Sequence, residues 1–321
     1  MGQKFLLGLS ILLLLFAIGM MSHDLFMEPD DAKKKPYEYD LNQLRQVDPA
    51  LIDYSEIHQI TPPAKDLLGV ATDSLDRIYV TADDKVLMYD EEGELYSTIH
   101  IGAVARCITI GPRGNIYLGV GNHVEVYTVT GHLLERWDCY DVESVITSIA
   151  VSGAGVFVAD AGKWLVHHYN REGKFKNSIG RKNLDKGIPG FFVPSPYFDL
   201  AIGREEELWV VNPGRHSLES YDEAGNPISS WTRTSMHLDG FSGCCNPSHM
   251  AILSNGSFVT SEKGLERVKV HLPSGDFKCV VAPPAQFEPG TRGLDIAVDS
   301  GDRIIILDPV KGLIRIFQKN G

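Results

Sequence analysis

Two adjacent cysteines, Cys244 and Cys245, lie in the stretch GFSGCCNPSH and are the residues of this sequence best suited to covalent chemistry. Neighbouring Cα atoms across a trans peptide are about 3.8 Å apart, whereas ordinary disulfides join Cα atoms about 4.4 to 6.8 Å apart. A bond between the two sulfur atoms would therefore be strained and easily reduced, although Gly243 and Asn246 supply turns that suit it. Four states remain open: a vicinal disulfide, separate bridges such as one to Cys107, a thiolate site for a metal or a redox reaction, and free thiols.

A histidine, His249, follows the cysteine pair and is the second candidate for chemistry. An imidazole can ligate a metal or transfer a proton near neutral pH, but a single histidine can equally have a structural role. Which other groups it could work with depends on the elements that position it.

The composition is that of a packed globular protein. The 321 residues are 43% hydrophobic and 22% charged, and the formal net charge is −12. Nucleic-acid binding needs a basic face. The acidic balance therefore argues against nucleic acid as a partner.

The N-terminus differs from the rest of the chain, because residues 5–21 are 17 uncharged residues that follow Lys4. This run predicts a signal peptide or signal anchor over residues 1–22, followed by a tether over residues 23–53. We expect the remainder of the chain to be held at the membrane outside the cytoplasm, on the periplasmic side, or to be secreted if the segment is cleaved. Export permits disulfides, and the odd count of five cysteines leaves at least one thiol unpaired within the chain.

A repeat with an aromatic residue or histidine four positions before a glycine recurs along the chain. The six copies begin at Tyr89, Tyr127, Tyr169, Tyr221, His271 and Phe317. Upstream of each copy lies a small apolar run, a turn and a β-branched run, as in SIAVSGAGVFV. Four short β-rich runs in each of six repeats predict a six-bladed all-β propeller over residues 54–321.

Closure of the predicted ring follows from the two ends of the repeat region. The sixth repeat lacks a fourth strand, and YSEIHQIT at residues 54–61 has no repeat of its own. Pairing this run into the last blade would remove an open sheet edge. We therefore expect an N-terminal strand to complete the last blade.

The repeat pattern resembles the NHL-repeat family of six-bladed β-propellers. The third copy, GVFVADAGKWLVHHYNREGKFKNSIG, matches the family consensus best, and the resemblance covers residues 67–321. FSGCCNP, with TSEKGLERVKV downstream, looks like a subgroup of exported bacterial NHL proteins of unassigned activity. The resemblance implies the fold and an extracytoplasmic location, while propellers in general serve as both binding modules and enzymes.

Three long insertions indicate the functional face of the propeller. They span residues 181–198, 232–247 and 283–292, and each connects a predicted fourth strand to the next first strand. The turns predicted on the opposite face are short. Because functional loops project from a rigid scaffold, the insertion face is the expected working face.

The first strands should line the central channel, and one residue ahead of each apolar pair should lie at its mouth. In repeat order these are Gly69, Cys107, Ser148, Asp199, His249 and Asp295. Asp199, His249 and Asp295 are candidate ligands for a divalent metal. The alternative is that these polar groups bind channel water and strand ends.

Further ligand or redox candidates on the same face are Cys107, Asn246, Glu262, Lys263 and Arg292, in addition to the cysteine pair and His249. Glu262 and Lys263 lie in a loop, with Arg267 and Lys269 on alternate positions of the next strand. A surface ladder of ion pairs is the alternative explanation of that charge pattern.

Three functions are compatible with these features. One is a membrane-tethered, exported propeller that binds a small ligand or a membrane or periplasmic protein partner at its loop-rich face, with an accessory role in a redox system as one form of it. Another is a metal-dependent enzyme similar to a lactonase or lyase, with its site at the channel mouth. The third is a purely structural interaction module. The sequence contains no CxxCH, CxxC, phosphate-binding loop or nucleophile elbow, which favours binding over catalysis.

Overall fold

The computed structural model describes residues 41–138 and 141–321. The predicted membrane or signal segment, most of the tether and Cys139 lie outside the described residues. No helix in the described part is long and apolar enough to span a membrane. The described helical elements are α1 (Leu41–Leu44) and four 3₁₀ turns, Pro49–Leu51, Leu184–Lys186, Pro213–Arg215 and Pro284–Gln286.

The described strands form six four-stranded antiparallel sheets. Strand β1 (Tyr54–Ile60) precedes blade one, which comprises β2 (Leu67–Thr72), β3 (Ile78–Ala82), β4 (Lys85–Tyr89) and β5 (Leu95–His100). Blade two comprises β6 (Ala105–Ile110), β7 (Ile116–Val120), β8 (His123–Tyr127) and β9 (Leu133–Trp137). Blade three comprises β10 (Ile146–Ser152), β11 (Gly155–Asp160), β12 (Leu165–Tyr169) and β13 (Phe175–Ile179).

The second half of the ring repeats this order. Blade four comprises β14 (Leu200–Ile202), β15 (Leu208–Asn212), β16 (Ser217–Tyr221) and β17 (Pro227–Thr232). Blade five comprises β18 (His249–Ile252), β19 (Phe258–Glu262), β20 (Arg267–His271) and β21 (Phe277–Ala282). Blade six comprises β22 (Ile296–Val298), β23 (Ile304–Asp308) and β24 (Leu313–Lys319), with β1 as its outermost strand.

Strand β1 closes the ring as expected. It pairs antiparallel with β24, from Tyr54 opposite Lys319 to Ile60 opposite Ile314. The first strands of successive blades contact one another in the order β2, β6, β10, β14, β18, β22 and back to β2. The six-bladed propeller predicted from the repeats is confirmed.

The hydrophobic core is divided into six wedges, each between the facing sheets of two neighbouring blades. One wedge, for example, joins Val80 and Leu87 of blade one to Ile305 and Leu307 of blade six. The other five wedges join the remaining pairs of neighbours around the ring. Because most side chains of the second and third strands of each blade are buried, these strands read as short runs rich in β-branched and aromatic residues.

The glycine of the recurring motif has a packing role as well as a turn role. Gly173 has φ +72°, in the hairpin turn that joins β12 to β13. A Cβ at this position would lie 2.2 Å from Nε1 of Trp137, on the outermost strand of the preceding blade. Glycine therefore serves both the left-handed turn and the close approach of neighbouring blades.

The later part of the predicted tether is attached to blade five. The guanidinium of Arg45 pairs with the buried carboxylate of Glu266 and donates to the carbonyl of Pro284. Ile52 forms a parallel bridge with Val280. Residues from Arg45 onward are therefore packed on the propeller rather than extended as a free linker.

Candidate functional site

The three insertions occupy one face of the ring. They fill the intervals between β13 and β14, β17 and β18, and β21 and β22, which are all connections from an outer strand to the next inner strand. Their inner ends lead directly into the first strands of blades four, five and six. The insertions therefore surround the part of the channel mouth that Asp199, His249 and Asp295 occupy.

These three residues come together in space although they are about fifty positions apart in sequence. Nδ1 of His249 lies 3.2 Å from Oδ1 of Asp295 and 3.6 Å from Oδ2 of Asp199. Below them the channel holds a cavity of about 290 Å³, whose lining includes Asp199, Asp295, Cys107 and Ser148. The grouping follows from the shared register of the inner strands.

The two carboxylates also connect neighbouring blades. Oδ2 of Asp199 accepts from the backbone N–H of Met250 in blade five, and Oδ2 of Asp295 accepts from that of Val70 in blade one, both at 2.8 Å. Their Oδ1 atoms accept from the next residue of their own strands, Leu200 and Ile296, at 2.9 Å. Each carboxylate thus accepts hydrogen bonds from a backbone N–H of its own inner strand and from one in the inner strand of a neighbouring blade, which links the two blades.

His249 is held as a cation by this arrangement. Burial favours the neutral imidazole, but the charges and hydrogen bonds of Asp295 and Asp199 prevail and raise the pKa of His249 to about 10. Its Nε2 is buried without a hydrogen-bond partner, and its ring lies edge-on to Tyr197 at a centroid distance of 5.6 Å. Nδ1 of His249 therefore interacts with the two aspartates, and Nε2 is available to a ligand.

The same donor set could hold a divalent metal. One ligand atom from each of Asp199, His249 and Asp295 lies within 4.8 Å of the others. One nitrogen and two carboxylate oxygens are suitable ligands for zinc, which would require a neutral His249. A metal and the Nδ1 proton would compete for the same position. The group of Asp199, His249 and Asp295 can therefore hold either the proton or the metal, but not both.

The cysteine pair lies in the insertion before β18 as two thiols in contact. The Sγ atoms of Cys244 and Cys245 are 3.4 Å apart, and all four described cysteines are free. Cys244 is exposed, whereas Cys245 is 7% exposed. Neither a vicinal disulfide nor a bridge to Cys107 is present in the structure.

The pKa values of the two thiols are shifted in opposite directions. Burial acts against ionisation of Cys245, but hydrogen bonds from Lys263 and Ser195 hold its pKa below the ordinary value. The pKa of Cys244 is raised, first by its hydrogen bond to Cys245 and then by the charge of that neighbour. Cys245 is therefore the more acidic thiol of the pair.

Lys263 is fixed next to Cys245 by several contacts. Its ammonium donates to Oγ of Ser195 at 2.7 Å and lies 4.7 Å from the ring centroid of Tyr197. Its backbone N–H donates to Oδ1 of Asn246, and its carbonyl accepts from Nδ2 of the same residue, both at 3.0 Å. Asn246 is buried and acts as a clamp between the insertion and Lys263 rather than as a ligand group.

Two arginines complete the surroundings of Tyr197. Burial raises the pKa of the Tyr197 hydroxyl, and the nearby charges of Arg292 and Arg106 oppose that shift. Both arginines are exposed, and neither has a hydrogen-bonded or ion-paired partner among the described residues. The N–H donors of these two guanidinium groups at the mouth are therefore available to a ligand.

Two of the candidate residues do not face the mouth. Cys107 is buried beneath it, and desolvation raises the pKa of its thiol, so it is not a reactive group. Glu262 is also buried, with its carboxylate 2.8 Å from both Nε of Arg267 and Nζ of Lys269. These charges form a buried ion-pair cluster rather than the surface ladder that was the alternative to a ligand role, because the insertion at residues 232–247 covers them.

The buried cluster holds that insertion in place. Lys269 donates to the carbonyls of Gly240 at 2.6 Å and Leu238 at 3.0 Å, and Arg267 donates to that of His237 at 2.9 Å. Burial alone would raise the pKa of Glu262, but the charges of Lys269 and Arg267 hold it below the ordinary value. Two buried cations and one carboxylate thus anchor the backbone just ahead of the cysteine pair.

Ser195 and Tyr197 are site residues that the sequence analysis missed. Both lie in the insertion at residues 181–198, which was identified only as a whole segment. Their contacts to Lys263 and His249 cross from the blade-four insertion to blade five. The sequence feature that could have indicated them is their position within four residues of Asp199, the mouth residue of blade four.

Comparison with known proteins shows the fold. No protein-family model and no curated protein matches the sequence. A streptogramin B lyase structure matches with TM-score 0.59 and 12% identity over 85% of this chain and 100% of that chain. A catalytically inactive histidine-to-alanine variant of virginiamycin B lyase from Staphylococcus aureus, in complex with quinupristin, matches with TM-score 0.56 and 11% identity over 83% and 100%.

A different kind of protein is also similar in structure. A chain in the mitotic checkpoint complex matches with TM-score 0.58 and 10% identity over 86% of this chain and 95% of that chain. The solved structures that resemble this chain thus include both an enzyme and a member of a protein assembly. At these identities the likeness shows the β-propeller fold alone.

Proposed function

We propose that this protein is an exported, membrane-tethered β-propeller of the NHL type that binds a small anionic ligand at the mouth surrounded by its insertions. The observation that carries the proposal is the concentration of cationic side chains there, in a chain whose net charge is −12. Lys263, Arg106 and Arg292 all act on one side chain, Tyr197. The NHL assignment is supported by the repeat pattern and by the six-bladed fold.

The chemistry of these groups favours a carboxylate or phosphate. A guanidinium presents five N–H donors in a planar fork that fits two oxygens of an anion. In an acidic protein an exposed arginine has many carboxylates available to it, yet Arg106 and Arg292 pair with none among the described residues. Their donors are thus left for a ligand, and the partly buried Tyr197 hydroxyl adds a further polar contact.

A titration with small ions tests the proposal. We expect inorganic phosphate and glutarate, at constant ionic strength, to raise the thermal unfolding midpoint, and 1,5-diaminopentane to have no effect. The double variant Arg106→Gln/Arg292→Gln should bind at least about tenfold more weakly, because charge-assisted hydrogen bonds contribute about 1.5 to 3 kcal/mol each. Arg113→Gln, in an exposed turn on the opposite face, is the matched control. Equal binding by the double variant, or no binding by the native chain, would contradict the proposal.

The location and the partner form part of the same proposal. The uncharged run at residues 5–21 supports anchoring in the membrane with the propeller on the periplasmic side. A membrane or periplasmic protein partner would present an acidic side chain or a terminal carboxylate to the same cations. Cell fractionation with protease treatment of spheroplasts tests the location, since protection of the propeller would place it in the cytoplasm.

A metal-dependent, lyase-like enzyme is the second candidate. The observation that favours it is the clustering of Asp199, His249 and Asp295, together with likeness in fold to a lyase that a histidine substitution inactivates. In this case the ion would occupy the place of the Nδ1 proton of His249, and the neighbouring Tyr197 would face the substrate. Stoichiometric metal in the purified chain, lost together with thermal stability in chelator, would support it. A metal-free chain with unchanged stability in zinc chloride or chelator would refute it.

A further inference from the structure

We propose that Cys244 and Cys245 form a thiol–disulfide exchange pair whose co-reactant is an anionic disulfide. The preference for an anion rests on the proposed anion site, whereas the exchange reaction rests on the two thiols and Lys263. In this scheme Cys244 makes the first bond to the incoming disulfide and Cys245 resolves the resulting mixed disulfide.

The contact between the two sulfur atoms provides the geometry. At 3.4 Å the Sγ atoms of Cys244 and Cys245 are already in contact, so Cys245 is within reach of a sulfur that reacts at Cys244. Cys244 is exposed and Cys245 is almost fully covered. An incoming disulfide can therefore reach Cys244, while Cys245 can reach only its neighbour.

The surroundings of Cys245 favour its thiolate. The ammonium of Lys263, which donates to Oγ of Ser195 at 2.7 Å, acts with that hydroxyl to hold the pKa of Cys245 below the ordinary value. Because Asn246 and Tyr197 hold Lys263 in place, its charge is fixed beside the thiolate rather than free in solvent. The thiolate is the nucleophilic form of cysteine, and a nearby lysine is a recognised means of stabilising it.

The reaction proceeds in two balanced steps. In the first, the Cys245 thiolate takes the proton of Cys244, and the Cys244 sulfur attacks the disulfide R–S–S–R, which forms a mixed disulfide and releases one R–S⁻. In the second, Cys245 loses its proton to solvent and attacks the Cys244 sulfur, which forms the Cys244–Cys245 bond and releases the second R–S⁻. Two cysteines lose two electrons, and the incoming disulfide gains them and takes up two protons from water.

The charge of the mouth selects the co-reactant. Lys263 lies against the Tyr197 ring, and the charges of Arg106 and Arg292 act on the same side chain. These three cations would attract a disulfide that carries carboxylates and repel one that carries amines. Each released thiol carries the charged group of its half of the disulfide.

Three small disulfides of similar length test both parts of the proposal. The reduced full chain is mixed with 3,3′-dithiodipropionate, 2-hydroxyethyl disulfide or cystamine, which carry negative, zero and positive charge. We expect loss of two thiols per chain and a vicinal disulfide in the peptide that contains residues 240–249, detected by mass spectrometry. The rate should fall by about tenfold or more from the anionic to the cationic disulfide at low salt, and the difference should shrink at high salt.

Variants assign the two roles. In Cys245→Ser the Cys244 proton must pass to solvent, so the first step should be slower, and the reaction should stop at a stable mixed disulfide on Cys244, seen as the added mass of one R–S group. Cys244→Ser should react at least about tenfold more slowly than the native chain, because Cys245 is covered. Lys263→Met should slow the resolving step, and Lys263→Arg should restore part of the rate. Cys279→Ser, a buried thiol in blade five, is the matched control and should leave the exchange unchanged.

The outcomes separate the exchange reaction from the anion site. Equal rates with all three disulfides would support the exchange pair and overturn its preference for an anion, together with the proposed function. Absence of a mixed disulfide on Cys244 in the Cys245→Ser chain, with each of the three disulfides, would overturn the exchange pair. That result would leave the anion site standing if phosphate still stabilised the native chain.

Discussion

Lys263 makes contacts at the mouth through both its side chain and its backbone. Its ammonium contacts Ser195 and the Tyr197 ring and lowers the pKa of Cys245, and its backbone hydrogen-bonds to Asn246. A lysine side chain is ordinarily flexible, so these contacts remove much of the freedom that would weaken its electrostatic effect. The acidity of Cys245 therefore depends on a charge that the two insertions hold in position.

The titration of the thiols can be predicted at this scale. The cysteine pair should titrate in two steps, one below and one above the ordinary cysteine pKa of about 8.5. Thiolate absorbance near 240 nm followed against pH measures both midpoints, with Cys244→Ser and Cys245→Ser assigning them. Lys263→Met should move the lower midpoint upward, because the stabilising ammonium is lost. A single midpoint at the ordinary value in the native chain would contradict the assigned role of Lys263.

The position of the cysteine-bearing insertion is set by elements of blade five. Strand β20 supplies Arg267 and Lys269, strand β19 supplies Glu262, and the two cations bind carbonyl groups of the insertion. Burial favours the neutral amine and lowers the pKa of Lys269 to about 8, although the carboxylate of Glu262 opposes that shift. Removing one partner of such a cluster leaves buried charge without compensation.

Glu262→Gln is therefore expected to destabilise the protein by about 3 to 5 kcal/mol, measured by urea unfolding. The same substitution at Glu143, whose exposed carboxylate pairs with Lys163, is the control and should change stability little. Disulfide exchange by the cysteine pair should also become slower, because the insertion loses its anchor. Equal stability of the two variants would show that the buried cluster does not hold the loop.

At the scale of the whole molecule, stability comes from a closed ring of six wedge-shaped cores. Each wedge is shared by two blades, so no blade completes its core alone. Strand β1 covers the outer edge of β24 and carries Glu56, whose carboxylate accepts two 2.7 Å hydrogen bonds from Arg315. The N-terminal strand therefore contributes both an edge cover and an ion pair to the last blade.

Removal of this strand tests the closure. A truncated chain that begins at Thr61 should unfold at a lower temperature than one that begins at Tyr54, and it should aggregate more readily through the exposed edge of β24. Because the two chains differ only by the seven residues of β1, circular dichroism and light scattering on both measure its contribution directly. Identical unfolding midpoints would mean that β1 is not needed for closure.

The fold could be predicted from the sequence because its determinants are local and repeated. The glycine of each hairpin, as at Gly173, is required by a left-handed turn, and the β-branched runs before it fit strands that are buried on both faces. Six copies of the same local pattern leave few arrangements other than a ring, and the unpaired run at residues 54–61 supplies its closure. The meeting of Asp199, His249 and Asp295 followed from the same register, since His249 begins an inner strand and each aspartate directly precedes one.

Which side chains face the mouth depends on contacts between segments that are distant in sequence. Glu262 and Lys263 are adjacent in sequence, yet the first is buried under an insertion and the second reaches Cys245. Ser195 and Tyr197 join the site because the insertion of blade four crosses to blade five, a path that no local pattern specifies. Repeats determine the scaffold through short-range geometry, whereas contacts between irregular insertions depend on how each loop packs against its neighbours.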